Sequence, residues 1–135
     1  MDVINLARQL GKAIQEDERF IGLQLAQQQA EADQPLQEML GKYADQRESL
    51  VREAKASGMD SPRAGEMNAQ LGRLYAEILQ NENMKRYMSA QEELSRLTGH
   101  ITQIIEGSAQ GQDPDTIEYQ QRRGGCGGGG CSGHR

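Results

Sequence analysis

The chain contains few of the residues that build a large and rigid core. Its 135 residues include no Trp, one Phe and four Tyr, and only 36% of them are hydrophobic. β-Sheets are enriched in aromatic and β-branched residues, so this composition favours helices packed through Leu, Ile, Met and Ala. The mean hydropathy of -0.79 is low. The sequence therefore predicts an all-α fold with a thin core.

Long apolar runs are also absent. No stretch reaches the roughly 20 apolar residues that a membrane-spanning helix needs, so no membrane span is predicted. The opening residues, MDVINLARQLGKAI, lack the basic and apolar regions of a signal peptide. We therefore expect a cytoplasmic protein. In that reducing compartment its two Cys are better suited to metal, cluster or redox chemistry than to a structural disulfide.

The charge balance and the missing motifs exclude several classes of function. The net charge is -5 and the pI is near 5.1, so the surface does not attract nucleic acid, and direct nucleic-acid binding is not expected. The sequence has no phosphate-binding loop and neither an HExxH nor a GxSxG motif. It also lacks the Glu-x-x-His pairs of a di-iron bundle. These absences predict a protein that is not an enzyme.

Apolar residues recur at helical spacing through most of the chain and predict four or five helices. The first runs from about Asp2 to Glu16. The starts of the next three are marked by residues typical of helix N-termini, namely Asp17, Asp33 followed by Pro35, and Ser61 followed by Pro62. Gly58 is a suitable stop for the third helix. Because the connection from 58 to 61 is short, the third and fourth helices are predicted to form a long antiparallel hairpin, with additional helices N-terminal to it.

The apolar stripe changes face between Ile78 and Tyr87. Nine residues at 100° each amount to about 900°, which places the two runs half a turn apart. Asn is a good capping residue and a poor one inside a helix. Either the helix breaks near Asn81-Glu82-Asn83, or one long helix buries different faces along its length. We predict a break or kink.

The C-terminal part of the chain differs from the helical part in composition. Gly107 is the predicted end of the helical domain (1–107), and 108–121 has the Gly, Ser and Asp-Pro-Asp composition of a linker. Residues 122–135, RRGGCGGGGCSGHR, cannot pack a core, and a disordered Gly- and Cys-rich tail is predicted.

This tail contains the residues with the most distinctive chemistry. Cys126, Cys131 and His134 form a C-x4-C-x2-H pattern whose side chains suit zinc or an iron–sulfur cluster. Three ligands are one short of a closed site, so a second chain, a partner, water or a small thiol would complete it. His100, the only other His, is more typical of a surface position than of a ligand. The alternatives are reversible thiol redox chemistry and a tail without a role.

The apolar stripes of these helices exceed what one thin core can bury, which favours self-association or an obligate complex. The predicted partner-binding residues lie on the fourth helix and the run that follows it: Leu71, Leu74, Ile78, Tyr87, Leu94, Leu97 and Ile101. A redox enzyme is disfavoured, because no scaffold fixes the pKa of the thiols.

Several segments resemble the YlbF/YmcA family of bacterial regulators. They are the V-I-x-L-A-x-x-L-x-x-A-I segment from Val3 to Ile14, the E-R-F entry at 18–20 and the stretch LYAEILQNENMKRY at 74–87. The resemblance covers roughly residues 2 to 106. A Cys- and Gly-rich C-terminal tail is also similar to that of some members.

The resemblance implies long antiparallel helices that self-associate or assemble with relatives, and control of competence, sporulation or biofilm development. In Bacillus, relatives form a complex that carries iron–sulfur clusters and associates with the endoribonuclease RNase Y in RNA processing. By this analogy Cys126, Cys131 and His134 are the cluster or metal ligands. The resulting hypothesis is a regulatory adapter, and the alternative is a structural or chaperone-like helical oligomerisation module with an inert tail.

Overall fold

The computed structural model describes residues 1–121, and within this part of the chain it contains five α-helices and no strand. This confirms the all-α prediction. The helices, in chain order, are α1 Val3–Glu16, α2 Glu18–Glu31, α3 Gln34–Ser57, α4 Pro62–Gln80 and α5 Glu82–Ala109. A single 3₁₀ turn, Pro114–Thr116, follows α5.

Polar side chains define the helix boundaries. Asp2, Asp17, Asp33 and Ser61 each accept a hydrogen bond from a backbone N–H in the first turn of α1 to α4, at 2.8 to 3.1 Å. These N–H groups have no partner within their helix, so each cap satisfies a donor that would otherwise be left unpaired. Gly58 ends α3 with a φ of 87°, a conformation that favours glycine. The predicted caps and stop are confirmed.

The predicted break between α4 and α5 is also confirmed, and it involves a single residue. Asn81 has an extended backbone and follows the last residue of α4. Its side-chain oxygen accepts a hydrogen bond from the N–H of Met84 at 2.9 Å, which caps α5. Asn81 therefore ends one helix and begins the next.

The core lies between α3 and α4, which form the predicted antiparallel hairpin. Near one end Leu36 packs with Leu74 and Ile78, and near the other Leu50 packs with Ala64 and Leu71. A residue early in α3 thus meets residues late in α4, as antiparallel helices require. Tyr43 packs against both clusters and joins them.

Helix α2 closes one end of this hairpin. Ala30 is buried in the cluster around Leu36, and its carbonyl oxygen accepts a hydrogen bond from Gln37 Nε2 at 2.9 Å. Small side chains let α2 approach closely, which extends the core without adding bulk. Helix α1 contacts α2 and buries none of its own residues.

The chain divides into two compact units, 1–92 and 93–135. The first contains α1 to α4 and the beginning of α5. The second contains the rest of α5, and residues 117–120 fold back along that helix rather than leaving it as the predicted linker. Helix α5 continues to Ala109, two residues past the predicted end at Gly107. No helix within residues 1–121 is long and apolar enough to cross a membrane.

Candidate docking surfaces

Three of the predicted partner-binding residues form the core of the chain itself. Leu71, Leu74 and Ile78 are only 8%, 7% and 2% exposed. The apolar side of α4 faces Leu36 and Leu50 of α3, and the hairpin covers all three side chains. These residues hold the two helices together and are not part of an open surface, which corrects their assignment as docking residues.

The other four predicted residues lie on α5 and are partly exposed. Tyr87 belongs to the first compact unit, and Leu94, Leu97 and Ile101 belong to the second. Their spacings of seven, three and four residues place them along one side of the helix. Ile105 continues this side and is 58% exposed. Their role in partner binding stays a prediction.

Helix α1 carries an exposed apolar face. Val3, Ile4, Leu6 and Leu10 are 74%, 59%, 43% and 36% exposed. Of the five helices, α1 separates its apolar and polar residues most strongly. An amphipathic helix gains most of its stability from burying its apolar stripe. The periodicity predicts this helix, but sequence reasoning did not assign its face to a partner.

A polar junction fixes the closed end of the hairpin. The Asp33 carboxylate accepts hydrogen bonds from the side-chain amides of Asn81 and Asn83, both at 3.0 Å. It also caps α3 by accepting from the N–H of Leu36. These three donors, with Asn81 the strongest, hold the pKa of Asp33 below its usual range. The junction therefore ties the start of α3 to the start of α5 in the chain's first unit.

In the second unit, α5 holds residues 117–120, here called the return segment. Gln103 makes two hydrogen bonds to the backbone of one residue: its Oε1 accepts from the N–H of Gln120 at 2.9 Å, and its Nε2 donates to the carbonyl of Gln120 at 2.6 Å. His100 Nε2 lies 3.1 Å from the carbonyl oxygen of Ile117 and donates to it. Sequence reasoning did not find these contacts.

Two glycines of α5 make room for the return segment. A Cβ at Gly107 would lie 2.6 Å from Ile117 Cδ1, and one at Gly99 would lie 3.3 Å from Tyr119 Cε1. Glycine inside a helix costs about 1 kcal/mol relative to Ala. Two glycines eight residues apart on one side of a helix are a weak signal of such a contact, since Gly65 and Gly72 on one side of α4 have nothing close to them. Gly99, His100, Gln103 and Gly107 are called the clasp below.

The predicted ligands Cys126, Cys131 and His134 lie outside the described residues. Within 1–121, no group of three or more His, Cys, Asp or Glu side chains is arranged to hold a metal ion. His100 is half-buried in the clasp, with its ring 6.0 Å from that of Tyr119. His100 therefore occupies a boundary position between the surface and the interior.

Comparison with known proteins gives one match. The family model described as control of competence regulator ComK, YlbF/YmcA, matches residues 3–108. No curated protein matches significantly, and no solved structure does. The matched region includes all of α1 to α4 and nearly all of α5.

Proposed function

The chain belongs to the YlbF/YmcA family, described as control of the competence regulator ComK, and we propose that it is a non-enzymatic regulatory adapter acting through protein partners. The observation that supports this proposal best is the uncovered apolar face of α1. Exposed apolar patches of several hundred Å² on soluble proteins mark interaction sites. Four aliphatic side chains in the first ten residues are each more than a third exposed and lie on this one helix.

The first partner that we propose is a second copy of the chain or a related family protein. A two-stranded helical contact buries apolar side chains on both helices at once. On α1 the charged Arg8 and Lys12 lie on the side opposite to Val3 and Leu10, and Arg8, one turn after Ile4, borders the apolar side. Self-association through α1 would bury this face without unpairing any charge.

This step is tested by two matched double variants. Leu6→Glu/Leu10→Glu places two carboxylates on the apolar side, whereas Asn5→Glu/Gln9→Glu adds the same charge on the polar side. We expect multi-angle light scattering to show an oligomer for the wild type and the polar-side variant. The apolar-side variant should be a monomer, with a dissociation constant raised at least about 100-fold. A monomeric wild type, or equal behaviour of the two variants, would contradict the proposal.

By family resemblance, the regulated partner is an endoribonuclease complex that acts in RNA processing. The proposed metal or cluster ligands are Cys126, Cys131 and His134. Two thiolates and one imidazole suit zinc or an iron–sulfur cluster, and a self-associated protein would supply the missing fourth ligand from another copy. Bound, such a group would cross-link the tails and make assembly depend on metal or oxidant.

Anaerobic purification followed by metal analysis tests the proposed metal or cluster site. We expect zinc or iron with the wild-type chain and its loss in Cys126→Ser/Cys131→Ser. The alternative function is a structural or chaperone-like helical oligomerisation module with an inert tail. In that case, deletion of 122–135 leaves both partner binding and the cellular phenotype unchanged.

A further inference from the structure

The clasp binds the backbone of an extended segment. One side-chain amide, that of Gln103, pairs with both the N–H and the carbonyl of Gln120. These are the two groups that a neighbouring β-strand would satisfy. His100 adds a third contact, to the carbonyl of Ile117. Because these contacts use backbone groups, they require an extended chain and not a particular side chain.

The glycine positions add selectivity for two side chains. Ile117 rests on Gly107 and Tyr119 on Gly99. In an extended segment, residues two apart point to the same side, so one strand of sequence can fill both positions. The clasp therefore fits a segment in which an aliphatic and an aromatic residue are separated by one residue of any type. The residue after the aromatic one must have its N–H and carbonyl available for hydrogen bonds.

Nothing in these contacts depends on how the return segment is joined to α5. Hydrogen bonds within residues 113–116 stabilise the connection. Asp113 accepts from the N–H of Asp115 at 3.0 Å and from the Thr116 hydroxyl at 2.9 Å. The connection includes Gly111, whose φ of 92° caps the end of α5. The N–H groups of Gly111 and Gln112 donate to the carbonyl oxygens of Ser108 and Gly107 at 3.0 Å, and the chain can change direction here once these bonds are released. Short hinges that join an element to its docking site favour exchange of that element between copies.

We propose that the return segment is exchangeable, so that residues 117–120 of one copy occupy the α5 clasp of another copy. A second copy is the occupant whose sequence matches the clasp residue for residue. Gln120 and both residues beside Gly111, Gln110 and Gln112, are exposed, so water can replace the contacts that these residues lose when the segment leaves. The inference rests on the self-association proposed above, which raises the local concentration of the second segment.

Complementation between two full-length variants tests exchange directly. Gln103→Ala/Gly107→Val has a return segment but no working clasp. Ile117→Ser/Tyr119→Ser has a clasp but no side chains to fill it. Only the first variant is labelled with ¹⁵N, and hydrogen exchange of its Gln120 amide is followed alone and after mixing with the unlabelled second variant. In the mixture, a protected Gln120 amide must be held by the clasp of the other molecule.

We expect the Gln120 amide to be protected in the wild type, unprotected in the labelled variant alone, and at least about tenfold slower to exchange in the mixture. The matched control is an unlabelled protein that carries all four substitutions. Mixing it with the labelled variant should not restore protection of the Gln120 amide. Ile105→Ser, on the opposite side of α5, should leave wild-type protection unchanged.

If the Gln120 amide is protected in the wild type but not in the mixture, the clasp acts only within one chain. This result would overturn the inference. An unprotected wild-type amide would overturn the clasp itself. Light scattering on the same mixture separates the two proposals. An oligomer without cross-protection refutes exchange alone, whereas a monomer without cross-protection refutes self-association as well.

Discussion

Helix α1 and the α3–α4 hairpin are built from similar sequence patterns and end in opposite states. Both carry apolar residues at three- and four-residue spacing, and both begin at a polar cap. In α4 the apolar side is buried against α3, and Ile78 is 2% exposed. In α1 no residue is buried. Periodicity thus shows that a helix has a side to bury, but the partner decides whether that side becomes core or docking surface.

The sharpest test of this comparison removes the same side chain from each region. Leu36 is 0% exposed and Leu10 is 36% exposed. We expect Leu36→Ala to lower the free energy of unfolding by about 3 kcal/mol, because it leaves a cavity between α2, α3 and α4. Leu10→Ala should cost under about 0.5 kcal/mol in the dissociated chain. Urea denaturation followed by circular dichroism measures both.

Repeating the denaturation at several protein concentrations provides the control for this experiment. If α1 is a docking surface, the cost of Leu10→Ala should grow as the concentration rises and association adds to stability. The cost of Leu36→Ala should change little. Equal losses for the two variants in dilute solution would mean that α1 is part of the folded core.

A smaller effect is expected from the helix caps of the two regions. Ser61 caps α4 by accepting from the N–H of Ala64 at 3.1 Å, and Asp2 caps α1 by accepting from the N–H of Ile4 at 3.1 Å. Ser61→Ala should cost about 1 kcal/mol of global stability, because α4 unfolds together with the core. Asp2→Ala should reduce helical content near the N-terminus and leave the main unfolding transition in place.

Native-state hydrogen exchange measures this difference residue by residue. Ser61→Ala should speed exchange throughout α3 and α4, whereas Asp2→Ala should speed it only in α1. If Asp2→Ala destabilised the hairpin, the two regions would be cooperative, and the comparison drawn above would fail.

The sequence was most informative where structure is local. The caps at Asp17, Asp33 and Ser61 and the stop at Gly58 depend on a few neighbouring residues. The break at Asn81 follows from a phase change that can be counted. For these reasons the all-α fold and the hairpin could be predicted.

The docking surface was harder to predict because it depends on contacts distant in sequence. An apolar stripe on α4 does not reveal whether α3 or another chain covers it, so Leu71, Leu74 and Ile78 were assigned to a partner. The return segment has no apolar period, and its two hydrogen bonds to Gln103 span 17 residues. The glycines inside α5 are a weak signal of this approach, because Gly65 and Gly72 inside α4 have no atom close to them.

The smallest expected effect concerns two aspartates that both begin helices. Asp17 is held locally, by the N–H and guanidinium of Arg19 two residues away. Asp33 is held by Asn81 and Asn83, about 50 residues away. Global unfolding breaks the Asp33 contacts necessarily, so acid should weaken the hairpin through Asp33.

The sign follows from the direction of the shift. Hydrogen bonds from Asn81, Asn83 and the Leu36 N–H lower the pKa of Asp33 in the folded chain. The folded state then binds the proton less tightly than the unfolded state, whose pKa is about 3.9. The stabilisation from Asp33 is fully present above that value and is lost as the pH falls through the lower folded pKa.

Stability curves from neutral pH down to about pH 2 measure this contribution. The difference in unfolding free energy between the wild type and Asp33→Asn should be constant near neutrality and should shrink at acidic pH. Asp17→Asn removes the same charge from the cap of α2 and controls for the loss of a cap carboxylate outside the junction. If Asp33→Asn kept the acid dependence of the wild type, the junction at the end of the hairpin would not be what acid weakens.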